Sequence, residues 1–498
     1  MSRIIRSWVA LAFALILLPS ISSAQSISDG VRLATELLPS GSRSQAMGGN
    51  LISAADGYSA LDANPAALAP IPSKDFGISL YNRSYNSNAF FLGSSESASL
   101  SNLALSSAGF AVPFKTTQGH MAVAISFDQV RDYHTTYEFK GANPGSSSLF
   151  NTQQFIADPH QGPGWTGNRQ YFADNNLAYA LNLTDQIPDT GAVTLTTPYK
   201  SGLVQSGTVT EEGSLNAVRV GGAVDIAEGV SAGATLNLLF GSYDKRRDYS
   251  ETDVAGTYAS TGFQSANIID AIHEDQTGGS LKLGLLVNKF DVVRFGVTVE
   301  TPEVLHVSHS FYRTGTSMFT TGIYSSDNMG YNPILLADYD YISPLRIGAG
   351  ASVHLLGLTA SASASYADMT QLRFNNGSSE LDVLNQDAQD MLRPILSLHF
   401  GGEYVIPIIG LSVRAGFGLE PSPYKGDPSS FDTKTISGGL GLLLSKSVLL
   451  EAGIQHTTYH TLHTIYDDLT VENTPVNATV NDDAVTRNDM TVTLNYRF

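Results

Sequence analysis

Residues 489–498 read Asp-Met-Thr-Val-Thr-Leu-Asn-Tyr-Arg-Phe. Met490, Val492, Leu494, Tyr496 and Phe498 fall on one face of an extended chain, and Asp489, Thr491, Thr493, Asn495 and Arg497 on the other. Successive side chains of a strand point to opposite sides, so this period of two specifies a strand with one apolar and one polar face. The pattern recurs upstream. Ile409, Leu411, Val413, Ala415, Phe417 and Leu419 alternate with Gly410, Ser412, Arg414, Gly416, Gly418 and Glu420. Leu345 to Leu355 and Leu358 to Tyr366 alternate in the same way, as do Val218 to Ile226 and Phe295 to Val299.

Two architectures alternate like this. A β-sandwich turns its apolar face inward, whereas a membrane barrel turns it to lipid and keeps its polar face in the lumen. The connections favour the barrel. Short turns at Pro407-Ile408 and Ser445-Lys446 contrast with long connections near 141–214, 241–279, 312–343, 371–393 and 460–487. That inequality between the two ends is the outer-membrane pattern. The expected fold is all-β, a transmembrane antiparallel barrel of about fourteen strands. Pro113 marks an edge, bulge or strand end.

Composition agrees. The 498 residues are 15% charged, with 28 Lys+Arg against 46 Asp+Glu and a net charge of −18. The acidic balance argues against a nucleic-acid partner, whose phosphates require a basic face. Mean hydropathy is −0.02, too low for a helical membrane protein, and the aromatic content is too high for a disordered chain. There is no cysteine, which excludes disulfides, thiolate metal sites and a lipidated N-terminal Cys.

Arg3 and Arg6 precede an apolar run from Trp8 to Leu18, broken by Pro19, and Ser22 and Ala24 supply small residues before a cleavage point. Residues 1–24 thus read as a secretory signal peptide; the run is too short for a retained span. Residues 25–75 do not alternate. Val31, Ala34, Leu37 and Leu38 group on a short helical candidate, and Gly, Ser and Ala follow. About fifty residues of this kind cannot bury a core alone, so they are expected to dock as a plug in the lumen of a barrel spanning 76–498.

The stretch SRSQAMGGNLISAADGYSALDANPAALA, residues 42–69, resembles the N-terminal hatch of the FadL/TodX family of outer-membrane transporters for hydrophobic compounds. The resemblance rests on Arg43-x-x-x-Met47-Gly48-Gly49, an Ala-Ala-Asp-Gly stretch, and Asn64-Pro65-Ala66-Ala67-Leu68. Segments such as RFGVTVETPEVL and HFGGEYVIPIIGLSVRAGFGLEPSPYKGD look like the branch common in Bacteroidetes. The resemblance implies a fourteen-stranded, hatch-plugged barrel in the bacterial outer membrane. It implies passive diffusion of long-chain fatty acids or hydrocarbons, captured at extracellular loops and released sideways beside a kinked strand. It places Asn64, Pro65 and Ala66 where hatch meets the kinked strand, though the same residues suit a plain rigid turn; since a tight pocket must loosen to release its ligand, gating is expected at Gly48, Gly49, Asn64, Pro65 and Ala66. The partners implied are a hydrophobic small molecule, outer-membrane lipids and the barrel-assembly machinery; no cofactor is implied.

Candidate substrate contacts are Leu51 and Leu61 in the hatch and Phe150, Phe155, Trp165, Phe172, Met318 and Phe319 in the long connections. Leu381, Leu384, Ala388 and Met391 follow a helical period. The alternative for these residues is simple loop packing over the barrel mouth. The lumenal charges are expected to be Arg219, Arg294, Arg346, Arg414 and Arg497 against Asp225, Glu300, Glu403 and Glu451, paired across strands or to the plug. His456, His460 and His463, and His306 with His309, lack metal-ligand spacing. No Walker loop, nucleophile elbow or His-Glu-x-x-His occurs, so no enzyme is expected. The rival function is a barrel accessory of a secretion system that shuttles exported proteins.

Overall fold

The computed structural model describes residues 27–35, 38–117, 119–143, 148, 177–188, 193–196, 198–199, 201–289, 292–328, 334–377, 380–471 and 474–498. The signal-peptide reading therefore lies outside the described residues. Fourteen antiparallel wall strands close into a ring. They are β1 (Asp75–Phe91), β2 (Ser94–Lys115), β3 (His120–Asp132 and Thr135–Ala142), β4 (Val204–Ala227), β5 (Val230–Thr252), β6 (Phe263–Val287) and β7 (Val293–Glu300 and Val304–Phe319). After them come β8 (Ile334–Ile342 and Arg346–Leu355), β9 (Leu358–Asp368 and Arg373–Asn375), β10 (Pro394–Ile406), β11 (Leu411–Glu420), β12 (Thr433–Leu443), β13 (Val448–Val471) and β14 (Thr474–Arg497). Closure is direct: Asp75 pairs with Arg497 and Phe76 with Tyr496. A ring leaves no sheet edge to satisfy, which is what a lipid environment demands.

The phase follows the alternation. Val413, Phe417, Val492, Leu494 and Tyr496 are exposed on the outer face, while Glu403, Arg414, Thr491 and Thr493 are buried inside. Phe295, Val297, Val299, Ile347 and Val353 continue the outer apolar belt. A contiguous apolar surface of this extent on a closed barrel is a lipid-facing one. Cysteines placed at Val413 and Leu494 should react with bilayer-confined labels, and a cysteine at Thr493 should not. The opposite result would mean a register one residue out.

Several strands run far past the belt. β4, β5, β6, β13 and β14 have 24, 23, 25, 24 and 24 residues. The segments 241–279 and 460–487, expected as loops, are thus largely strand. Above the bilayer the outer face no longer meets lipid, while residues such as Tyr249, Ala266 and Ile268 still pack inward, so the apolar outer stripe stops while ladder pairing continues. Pro113 lies within β2, beyond the last β1 pair at Ala111, where its missing N–H removes no bond to β1.

Besides local bulges such as those at Ser79/Leu80 and Asp225/Ala227, two irregularities of the wall bear on the site. Pro302 and Pro344 interrupt β7 and β8 side by side, where Ser343 and Glu303 exchange hydrogen bonds. In β3 the register shifts between Gln129 and Arg131, and the strand breaks at Tyr133-His134. β2 pairs with β3 only from Ser107↔Asp128 to Lys115↔His120. Past that point the second piece of β3 pairs with β4 alone. Among the described residues, the Ser94–Ser106 part of β2 has β1 as its only strand partner.

Candidate functional site

Residues 38–71 lie inside the ring, built from a short helix (Gly41–Ala46), a second (Ala60–Ala63) and a 3-10 turn at Pro65–Leu68. Met47, Leu61, Ala66 and Leu68 are buried. The segment is too short to close a core of its own, and its apolar residues pack against wall residues such as Ala122, Ala124 and Leu286. The Met47-Gly48 backbone lies flat on β10 and β11: a Cβ on Gly416 would stand 2.1 Å from the Gly48 nitrogen, and one on Gly401 2.4 Å from the Met47 oxygen. Gly48 has φ +86°, donates to Ser437 Oγ at 3.1 Å and accepts from His399 Nδ1 at 2.7 Å. The Gly48-Gly49 pair is held rather than slack; glycine serves here for the left-handed turn and the close approach.

Ion pairs fix the same region. Arg43 Nε and Nη2 donate to Glu403 at 3.1 and 3.0 Å, and Arg43 Nη1 reaches Asp56 at 3.2 Å. Arg414 donates to Glu403 at 2.6 Å and reaches Glu451 at 2.5 Å. Burial works against the Arg43 charge, but Asp56 and Glu403 more than offset it and raise its pKa above the ordinary range. On the opposite side Arg219 joins Asp62 of the plug, at 2.9 Å, to Asp128 of β3, at 2.8 Å. Arg497 joins Asp56 to Asp75. A cavity of about 20 Å³ beside Asp62, Arg219, Lys282 and Glu300 has room for roughly one water.

Asn64 forms the corner of the plug. Its Nδ2 donates to the Ile52 oxygen at 2.9 Å and the Leu285 oxygen of β6 at 3.1 Å, and its Oδ1 accepts from Ala66 N–H. That last bond caps the 3-10 turn that Pro65 begins. The motif sits on β5 and β6, where Gly233 and Gly284 leave space for Pro65 and Asn64. It meets β3 at Ala122 and Ala124, short of the break at Tyr133-His134.

The first helix, Ile27–Ala34, and the residues after it make the contact beside the break instead. Leu38 N–H donates to the Val130 oxygen at 2.8 Å, and Arg131 Nε to the Thr35 oxygen at 3.3 Å. Arg131 also pairs with Glu303 at 2.8 Å, linking the two wall irregularities across the lumen. Outside this junction an open cleft of about 490 Å³ lies on the wall between β2 and β4, beside Ala104, Leu105, Phe127, Gln129 and Asn216. Toward the long-loop end, Phe91, Phe139, Leu177, Tyr199, Phe263 and Phe319 form a buried cluster, with Tyr199 stacked on Phe263 at 4.3 Å.

Several sequence candidates land elsewhere. Leu51 packs with Met47 and Ala54, and Leu61 packs in an apolar cluster shared with wall residues such as Ala122, Ala223 and Leu286, so neither faces an open passage. Met318 is exposed on the outer side while Phe319 turns inward, as neighbours on a strand must. Phe150, Phe155, Trp165 and Phe172 lie outside the described residues. Asp225 binds His120 and Ser231 near the short-turn rim, and Arg294 bonds Asn288; neither holds the plug. Glu300 pairs with Lys282, and Arg346 donates to the Ala34 oxygen. Leu381, Leu384 and Ala388 are buried on the helix Glu380–Met391, whereas Met391 is exposed. The histidines take separate partners: His456 bonds Asn488, His463 bonds Asp483 and stacks on Tyr137, His306 bonds Asp340 and His309 bonds Glu274. Sequence reasoning missed Arg32, Arg131, Tyr133 and Glu274, since nothing local marks a polar group that meets its partner across a lumen.

No family model and no curated protein matches the chain. Solved structures do. A Pseudomonas aeruginosa FadL homologue aligns with TM-score 0.57 and 12% identity, over 93% of this chain and 99% of the other. The P. putida toluene transporter TodX aligns at 0.52 and 13%, over 93% and 99%. The monoaromatic hydrocarbon channel CymD aligns at 0.52 and 11%, over the same shares. At such identities the likeness establishes a shared fold.

Proposed function

We propose that this chain is an outer-membrane diffusion channel for hydrophobic compounds, of the FadL/TodX kind, in which residues 25–75 form a movable hatch and cargo leaves through the side of the wall. One observation carries the reading: strand pairing between β2 and β3 stops at Ser107↔Asp128, and an open cleft lies there with Leu105 and Phe127 on its lip. An interruption at that place costs backbone hydrogen bonds and is retained only where something offsets the loss. A sideways exit does so, because an apolar solute can pass from lumen to lipid without crossing water.

Entry is from the long-loop end, where the aromatic cluster offers an apolar surface. The cluster is packed, so a ligand has to part it. The bonds from Leu38 and Thr35 to β3 close the path to the exit, and the hatch opens it by releasing them. No nucleotide motif is present, so movement runs down a gradient of affinity. Burying a long alkyl chain contributes about 0.8 kcal/mol per CH₂, reduced by ordering costs.

The test is uptake into liposomes. Wild-type protein should carry a hydrophobic probe, such as a fluorescent fatty-acid analogue or toluene, faster than empty liposomes. Ala104→Trp with Asn216→Trp should block the opening and remove most of that excess without preventing barrel assembly. Wild-type protein that moves no probe sinks the channel reading and favours a secretion accessory. Uptake that survives both tryptophans moves the exit elsewhere.

Asn64→Ala with Pro65→Ala is expected to leave the wall assembled and to slow uptake. It strips two plug-to-backbone bonds and the turn cap, at about 1–3 kcal/mol for groups left unsatisfied. Unchanged uptake in liposomes would confine the motif to a structural turn.

A further inference from the structure

Arg32 projects from the first helix into a box on the inner wall. Its guanidinium carbon lies 3.4 Å from the Tyr243 ring centroid and 5.1 Å from that of Tyr133. The two rings meet edge to face at 5.4 Å. Its Nη2 donates to Glu274 Oε2 at 2.9 Å. Glu274 is itself buried; it accepts from the Tyr339 hydroxyl at 3.2 Å and faces His309 Nδ1 at 3.2 Å. Aromatic faces above a carboxylate floor recognise a guanidinium or an ammonium.

Arg32 uses only part of what the box offers. Its Nε and Nη1 are buried without hydrogen-bond partners, and so are the Tyr243 hydroxyl and His309 Nε2. The box is also built entirely by the wall, from the β3 break, β5, β6, β7 and β8, whereas the cation comes from the hatch. When the helix leaves, Asp29, 3.6 Å from Arg32, leaves with it, and Glu274 remains. The neighbouring cations are already committed, Lys245 to Glu211 at 3.2 Å and Arg131 to Glu303 at 2.8 Å, which leaves Glu274 the Gln276 amide at 3.1 Å, the Tyr339 hydroxyl and the His309 ring. A buried carboxylate without a permanent cation beside it is costly. A cationic head restores the pairing, while a carboxylate head would place two like charges together. Leu215, Leu239, Leu305 and Val307 of the surrounding cluster supply an apolar path for a tail.

We propose that the Tyr133–Tyr243–Glu274 box is a ligand subsite for a guanidinium or ammonium head on an apolar tail, occupied by Arg32 as a tethered stand-in until the helix moves aside. It rests on the reading of the N-terminal segment as a movable hatch. Purified Arg32→Ala protein, its assembly checked by gel mobility, is titrated with ethylguanidinium while its melting midpoint is followed. A saturable rise of several degrees at millimolar concentration is expected, with none from sodium chloride or butyrate at equal ionic strength. Adding Glu274→Gln should abolish the rise, and octylguanidinium should act at a concentration at least about tenfold lower. A rise that salt reproduces, or that survives Glu274→Gln, overturns the proposal.

Should Arg32→Ala fail to assemble, a spin label at Ser28→Cys in a chain that keeps Arg32 decides the matter. Octylguanidinium should mobilise the label and octanoate should not; equal or absent responses overturn the proposal. Neither measurement uses transport, so failure here leaves the hydrocarbon-uptake test standing, and failure there does not alter this binding result.

Discussion

If the N-terminal segment plugs the barrel as proposed, Glu403→Ala should unseat it and turn the barrel ion-conducting. Glu403 receives both Arg43 of the plug and Arg414 of the wall. Among the described residues its removal leaves Arg43 with Asp56 as its acidic partner, and Arg414, almost fully buried, with Glu451. Breaking a buried pair by deleting one partner costs about 3–5 kcal/mol, because the remaining charge is left without compensation. That loss falls on the polar side of the seat, while Met47, Leu51, Ile52, Tyr58 and Leu61 stay buried. In planar bilayers the variant should show openings large enough for salt, with a lower melting midpoint. Glu403→Gln still accepts hydrogen bonds and should lie between variant and wild type. Replacing Arg43, Glu403 and Arg414 together by apolar residues of similar size should recover much of the loss. Conductance unchanged in Glu403→Ala would mean that the close approach of the Met47-Gly48 backbone, and not charge, seats the plug.

The wall was legible wherever lipid lies on one side of it. Val413 against Arg414 and Leu494 against Thr493 differ because one face meets hydrocarbon and the other the lumen, and the chain records that difference every second residue. Above the bilayer the apolar outer stripe stops, so the extensions of β5, β6, β13 and β14 looked like loops although their ladders continue. Proline carried a second signal: Pro302 and Pro344 mark the paired break in β7 and β8. The break in β3 has a quieter mark. Asp132 Oδ1 accepts from the His134 N–H at 2.9 Å, a local bond that competes with the ladder, and beside it Arg131 bonds the N-terminal segment about ninety residues earlier in the chain. The hatch motif was readable as a motif. Its seat was not, because Asn64 meets Leu285 across 221 residues and Gly48 meets His399 across 351. The glycines of the wall held the missing information. An inward glycine on a strand otherwise rich in β-formers marks a place where another backbone comes close.

Adjacent glycines on β10 turn that idea into a matched test. Gly401 faces the plug: a Cβ there would stand 2.4 Å from the Met47 oxygen and 2.9 Å from the Met47 Cβ. Gly402 faces outward, and a Cβ there meets nothing within 4 Å. Neither residue has positive φ, so valine fits the backbone of both and should favour the strand at both. Gly402→Val is expected to assemble, stay closed and transport like wild type. Gly401→Val should also assemble, since the wall pairs through backbone bonds that the side chain does not touch. It cannot keep Met47 in place, because backbone atoms this close have no rotamer by which to yield. Displacement at Gly401 carries Gly48 off Ser437 and His399 and draws Arg43 away from Glu403, so the loss spreads through the whole seat. The expected phenotype is a stable open barrel: salt conductance in bilayers, protease access to the N-terminal segment, and an unchanged heat-modifiable gel shift. Because the two substitutions are identical in chemistry and adjacent in sequence, a difference between them can arise only from what lies on the inner side. If both valines are silent, the N-terminal segment does not rest on β10.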